Sequence, residues 1–223
     1  MKVANDIRGL FLAGDETCNI TTANFLYYMA IYGDYKAKIM EEILPTLEKA
    51  SSDLVNNLTP DVVDEFVYTK QCVYETMRHC PSAPSTMPNH FSQDTKIGGV
   101  DFKAHKTTFI INIHAVLNDP TQWIKPREFN PERFNSKSEW FKRPDGKPRN
   151  PLAFCPFSGG KRICAGKTFA EIMLCITIPL IYYHFEFEFV REDQKTNKPN
   201  YQISAAKNPE MPFKIKQLRK VVV

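Results

Sequence analysis

Long apolar segments are missing from this 223-residue chain. The longest, Ile172 to Tyr183, is stopped by Glu171 and His184, and a bilayer-spanning helix needs about 20 residues. The amino terminus, Met1 to Asp6, lacks the apolar centre of a signal peptide. Nothing in the chain reads as a membrane anchor. The six cysteines at 18, 72, 80, 155, 164 and 175 form no C-x-x-C and no Cys/His pair at zinc-finger spacing, which excludes a zinc module. Most of them read as buried free thiols. A strong charge is lacking too: the net is +4, which singles out no partner class and gives no reason to expect nucleic acid. Internal repeats are absent.

What is present is the composition of a globular chain, 43% hydrophobic and 24% charged. The small positive charge is unevenly placed. Residues 137–167 carry +6 and the rest of the chain −2. Residues from about 4 to 31 read as a helix with apolar positions at Ile7, Leu10, Phe11, Phe25, Leu26 and Met29. Gly14-Asp15-Glu16-Thr17 interrupts its centre, where Ala or Leu is the usual choice. Asp34 can cap a second helix to about Lys49. Thr59-Pro60 suits the N-cap and first position of a third helical stretch, which runs to about Cys80 and stops at Pro81. Lys96 to Val100 reads as strand and tight turn, and Thr107 to Ile111 as a second strand. Residues 119–163 hold seven of the sixteen prolines and little periodicity; such long irregular stretches are usually functional. A helix follows from Ala165 to about Tyr183, where Pro179 is expected to bend or end it early. Phe185 to Phe189 alternates as a half-buried strand, and strands near 200–206 and 212–218 are expected to pair as a hairpin.

One decapeptide carries chemistry: Phe157-Ser158-Gly159-Gly160-Lys161-Arg162-Ile163-Cys164-Ala165-Gly166. Its cysteine ends a glycine-bearing loop just before a helix. Amide N–H groups there point outward and the helix dipole favours an anion, conditions that suit a thiolate. Gly160 permits a turn with positive φ, Gly166 lets a flat bulky group approach, and Arg162 supplies a cation for a carboxylate on that group. A lone loop cysteine reads as a structural thiol. All five positions of F-x-x-G-x-R-x-C-x-G are filled here, and that changes the reading.

The decapeptide resembles the haem-binding signature of the cytochrome P-450 family, of the eukaryotic microsomal type, and three more segments fit in that family's order. The resemblance spans nearly the whole chain, 1–223. It implies a haem b held by the Cys164 thiolate, with Phe157, Gly160, Arg162 and Gly166 around it. It implies a mainly α fold with small β-sheets, covering that family's fold from the oxygen-binding helix (about 4–31) to the carboxy terminus. The E-x-x-R helix would span about 60–80, the meander and cysteine-ligand loop about 119–166, the next helix about 165–183, and the last strands 185–218.

The first further segment is Ala13-Gly14-Asp15-Glu16-Thr17. By itself the acid–alcohol pair reads equally as solvated helix surface. By resemblance it belongs to the oxygen-binding helix: Ala13 and Gly14 make room for the cofactor, Thr17 is the alcohol and Glu16 the acid of proton delivery. Cys18 departs from the hydroxyl residue often found there. The second is Glu75-Thr76-Met77-Arg78. An i, i+3 pair is ordinarily a weak surface ion pair; by resemblance it joins Arg133 in a buried network that steadies the cysteine loop. The third is the loop Pro81 to His90, where relatives often place a basic residue for a propionate; Asn89 and His90 stand there instead.

The resemblance also implies an NADPH-dependent flavoprotein reductase or a ferredoxin as electron donor. It would dock on the basic face near Lys142, Arg143, Lys147, Arg149, Lys161 and Lys167. The implied activity is a monooxygenase that inserts one atom of dioxygen into a small organic substrate. Two alternatives stay open: an O2-independent haem-thiolate isomerase or dehydratase, and a catalytically inactive haem-binding or interaction fragment. The resemblance implies an endoplasmic reticulum membrane for the family but, with no anchor legible in this chain, leaves its own location unknown. It also implies relatives about twice as long as this chain. The expectation is therefore a truncated product whose helices at 4–31 and 165–183 leave apolar surface open.

Overall fold

The computed structural model describes residues 2–51, 53–196, 200–201, 206–207 and 212–219. Helix α1 (Lys2–Ile31) is unbroken. Its second half buries Cys18, Thr21, Phe25, Tyr28 and Met29, whose three- and four-residue spacing puts them on one face. Its first part behaves otherwise. Ile7, Leu10 and Phe11 remain 61%, 68% and 73% exposed, so the apolar pattern there does not mark core among the described residues.

Helix α2 (Gly33–Ala50) follows at once, with Tyr32 as its N-cap. Asp34 lies inside the first turn instead of capping it, where its charge complements the helix dipole. Short helices α3 (Leu54–Asn57) and α4 (Pro60–Asp64) lead to α5 (Val67–His79). Thr59 and Pro60 start α4 as expected, but the single stretch from 59 to 80 is divided at Glu65 and Phe66. Phe66 leaves helical geometry at φ −79° and ψ 61° and its ring is buried in the core. Glu42 of α2 then caps α5. Its carboxylate accepts from Tyr68 N at 2.6 Å, Thr69 N at 2.8 Å and Thr69 Oγ1 at 2.7 Å, satisfying amides a new helix start leaves open.

Antiparallel pairs β1 (Asn89–His90) with β4 (Thr108–Phe109), and β2 (Thr95–Ile97) with β3 (Val100–Phe102), come next. Gly98 and Gly99 turn the second pair at φ +57° and +85°, a geometry that favours glycine. A short helix, α6 (Ile113–Leu117), is capped by Asn112 through Ala115 N and was not legible as a helix in the sequence. Between it and Cys164 lie only 3₁₀ turns, at Pro131–Phe134, Glu139–Phe141, Pro151–Ala153 and Gly160–Arg162.

Helix α7 (Lys167–His184) passes through Pro179 without ending. Proline removes one hydrogen bond, but the turn beyond it buries Tyr182, Tyr183 and His184, and this packing holds the helix on. Strand β5 (Phe185–Phe189) pairs with β8 (Phe213–Gln217), not β8 with the segment near 200–206. The register explains the choice: Glu186 stands opposite Lys216, Glu188 opposite Lys214, and Phe189 stacks on Phe213 at 5.3 Å. The short strands β6 (Asn200–Tyr201) and β7 (Ala206–Lys207) pair with each other, and residues 202–205 of that expected strand lie outside the described residues. The described chain is thus mainly α with small two-stranded sheets. Its core lies where α1, α2, α5 and α7 meet, around Phe25, Ile43, Val73, Met77 and Ile178.

Candidate functional site

The cysteine loop runs from Phe154 to Gly166 and is held by its own backbone. Cys164 N donates to Phe157 O at 3.0 Å, Ile163 N to Gly160 O at 3.3 Å and Ser158 N to Cys155 O at 2.9 Å. Gly160 has φ +66°, as its place in the motif predicts, and Ser158 has φ +63°, a conformation that side chains rarely adopt outside constrained sites. Gly166 is the N-cap of α7, and a Cβ there would lie 3.8 Å from Cys164 Sγ. Cys164 is exposed, whereas Cys18, Cys72, Cys80 and Cys175 are buried. Arg162 is exposed and makes no hydrogen bond or ion pair among the described residues.

The loop closes against α1. A cavity of about 30 Å³, lined by Thr17, Cys18, Thr21, Ser82, Phe157 and Leu174 among others, separates them. It has room for a single water. Burial pushes the Cys18 thiol up, and Cys164 is near enough to add to the shift. Thr17 Oγ1 donates to Ala13 O at 2.7 Å, the local back-bond its type favours in mid-helix. Gly14 has nothing within 4 Å of a would-be Cβ, so the helix backbone is open at that point. Glu16 is exposed and does not line the cavity; among the acid–alcohol pair only Thr17 is brought to the loop.

Glu75, Arg78 and Arg133 are fully buried. Arg78 donates Nε to Glu75 Oε2 at 2.7 Å and NH2 to Oε1 at 2.8 Å, while Arg133 Nε reaches Oε1 at 3.2 Å. Arg78 also donates to the carbonyl oxygens of Leu117 at the end of α6 and of Pro126 and Glu128 in the long loop, and to His79 Nδ1, while Arg133 donates to those of Ile124, Lys125 and Glu128. Two cations and one anion are thereby neutralised by backbone dipoles as well as by each other. The i, i+3 spacing announced the Glu75–Arg78 contact, and Arg133 comes to it from 58 residues away.

Arg149 is the residue that the sequence misplaced. Counted with the basic face, it turns inward: NH2 donates to Arg133 O at 2.6 Å, NH1 to Trp140 O at 3.1 Å, and the guanidinium lies 4.2 Å from the Trp123 ring. Burial depresses its pKa to about 10. Arg143 pairs with Asp145 at 3.0 Å and Lys167 with Glu171 at 2.8 Å, while Lys142, Lys147 and Lys161 are exposed. No local signal distinguishes Arg149 from its neighbours; its stacking partner is 26 residues back. In the loop after Pro81, Asn89 Nδ2 donates to Met87 O at 2.6 Å and His90 Nδ1 pairs with Thr108 Oγ1 at 3.3 Å. Both groups are engaged locally.

The sequence matches the model of the cytochrome P450 family over residues 2–216. The chain belongs to the cytochrome P450 family. It is 30% identical over 188 residues to "Cytochrome P450 71B24" of Arabidopsis thaliana, covering 84% of this chain and 36% of that protein. It is 31% identical over 183 residues to "Cytochrome P450 4X1" of Homo sapiens, covering 82% and 33%. The fold is similar to the crystal structure of a cytochrome P450, CYP102L1, with a TM-score of 0.76, 23% identity, and coverage of 96% of this chain and 45% of that one. The chain therefore spans about a third of the length of the curated P450 relatives named here. No described helix is long and apolar enough to cross a membrane.

Membership of the P450 family implies a haem, and the residues present fit one. Among the described residues no group of three or more His, Cys, Asp or Glu could cage a bare metal ion. A single exposed thiol, Cys164, would instead suit a metal carried into the site by an organic group.

Proposed function

We propose that this chain is the cysteine-ligand portion of a haem-thiolate monooxygenase, with haem b held by Cys164. The observation that carries the reading is the exposed Cys164 thiol at the end of the signature loop, just before α7. When bound, the haem supplies activation of dioxygen, one atom going to a small organic substrate and the other to water.

The chain's own residues do the rest. Cys164 would hold the haem iron through its thiolate, and Arg162, free of other partners among the described residues, would pair with a carboxylate of the cofactor. Phe157, Gly160 and Gly166 shape the loop, and Ala13 and Gly14 leave its opposite side without bulk. Thr17 Oγ1 donates to Ala13 O, and its oxygen can in turn accept a hydrogen bond from a water, with Glu16 in solvent as the acid. Proton assistance of this kind is worth about 10²–10⁴-fold. Glu75, Arg78 and Arg133 hold the long loop in place. Electrons come from an NADPH-dependent flavoprotein reductase or a ferredoxin, steered by Lys142, Lys147 and Lys161.

Expression with haem, reduction and addition of carbon monoxide test the ligand. The wild type should give the thiolate-type Soret band and Cys164→Ala should lose it. The absence of that band in the wild type, or its persistence in Cys164→Ala, sinks the assignment. Product formation with a reductase present then separates a monooxygenase from an inert haem binder.

A further inference from the structure

Glu171 lies one turn into α7, and its i, i+4 pairing with Lys167 would by itself be a surface contact of little consequence. Two observations set it apart. Its side chain is only 17% exposed, and its second oxygen is also engaged: Oε1 accepts from Tyr74 Oη at 3.2 Å while Oε2 takes Lys167 Nζ at 2.8 Å. Burial and the Glu171 charge both push the Tyr74 phenol up, so it stays a donor.

Each partner reaches the cysteine loop. Tyr74 directly precedes Glu75 on α5, and its ring packs on Phe154 at 5.4 Å and Phe134 at 5.5 Å. Lys167 Nζ lies 5.8 Å from the Phe157 ring centroid, and its amide donates to Cys164 O at 3.4 Å. One carboxylate therefore joins α5 to the first turn of α7, and both arms touch aromatic residues that open the loop. The Glu75 network holds the long loop further upstream, and no hydrogen bond or ion pair joins it to Glu171 or Lys167 among the described residues.

We propose that Glu171 is a positioning residue for Cys164, clamping the ligand loop between α5 and α7 through Tyr74 and Lys167. The meaning of the clamp for haem rests on the function proposed above; the clamp itself does not.

Hydrogen exchange over residues 155–167 of the full chain tests it, without haem and with it, in Glu171→Ala, Glu171→Gln and Tyr74→Phe. Loss of a charge-assisted bond should speed exchange of that segment about tenfold in Glu171→Ala. The Asn130 amide, held by Glu75, should be unchanged. Glutamine keeps one acceptor oxygen, which can take Lys167 Nζ while Nε2 donates to Tyr74 Oη. Glu171→Gln should therefore recover part of the protection lost in Glu171→Ala, and Tyr74→Phe should lie between wild type and Glu171→Ala. In haem-loaded protein the thiolate-type fraction of the carbon monoxide complex should fall in Glu171→Ala and return in part in Glu171→Gln. Unchanged exchange in both Glu171→Ala and Tyr74→Phe, or equal acceleration throughout the chain, overturns the clamp. Local acceleration with an unchanged thiolate-type fraction overturns its bearing on Cys164. A wild type without that signal defeats the haem assignment alone, and the exchange comparison still decides the clamp.

Discussion

Glu75 is the one carboxylate between two buried guanidinium groups. Its carboxylate accepts from Arg78, Arg133 and the Asn130 amide at 2.8 Å, all in a region without solvent. Glu75→Ala leaves two buried guanidinium groups without their anion, and breaking such a pair costs about 3–5 kcal/mol. Urea denaturation should show that loss, or no folded protein at all. A change below about 1 kcal/mol would mean that the carbonyl oxygens alone satisfy the arginines. His79, next in sequence to Arg78, gives the pH dependence. Its ring lies edge-on to Tyr28 and Phe129, Nδ1 accepts from Arg78, and burial lowers its pKa from 6.5 to about 3. The unfolded chain takes up this proton as the pH falls below 6.5, and the folded chain does not until about 3. Stability contributed by the neutral ring is therefore intact above 6.5 and declines towards 3, by up to about 1.4 kcal/mol per pH unit. Denaturation midpoints of His79→Gln should fall less steeply with acid than those of the wild type.

Among the elements, α5 shows how a helix can begin where local sequence would continue one. Helical propensity runs through Glu65 and Phe66, but burying the Phe66 ring and capping the new start with Glu42 outweigh two lost helical residues. Glu42→Ala should cost about 1–2 kcal/mol, the usual worth of a cap. Backbone exchange should show fraying at Val67 to Lys70 before the rest of α5 opens. The strand pair β5–β8 makes the same point for sheets. Its alternating Phe and Glu residues were legible as a strand from the sequence, but the partner was set by the matching lysines and Phe213 on a distant segment.

At the scale of the molecule, the helices pack closely around α5 and leave apolar surface on α1 and α7. Leu10 and Phe11 of α1, and Phe169 of α7, are each at least two-thirds exposed. Patches of this kind promote association. Light scattering of the wild type should rise with concentration, and Leu10→Lys/Phe11→Lys should suppress the rise without lowering the unfolding midpoint. Scattering that does not depend on these side chains would count against the patch as the cause. The sequence by itself determined the cysteine loop, Gly160 at its positive φ, the Glu75–Arg78 pair and the mainly helical fold, because each depends on neighbours within a few residues. Only the tertiary structure decided that Arg133 completes the pair, that Arg149 turns from the surface onto Trp123, and that Glu171 meets Tyr74. Those contacts join segments tens of residues apart, and spacing along a chain does not encode which distant groups desolvate one another. Cys164 stands at the join: its motif is local, but the place of its loop across the cavity from Thr17 depends on α1, α5 and α7 packing together.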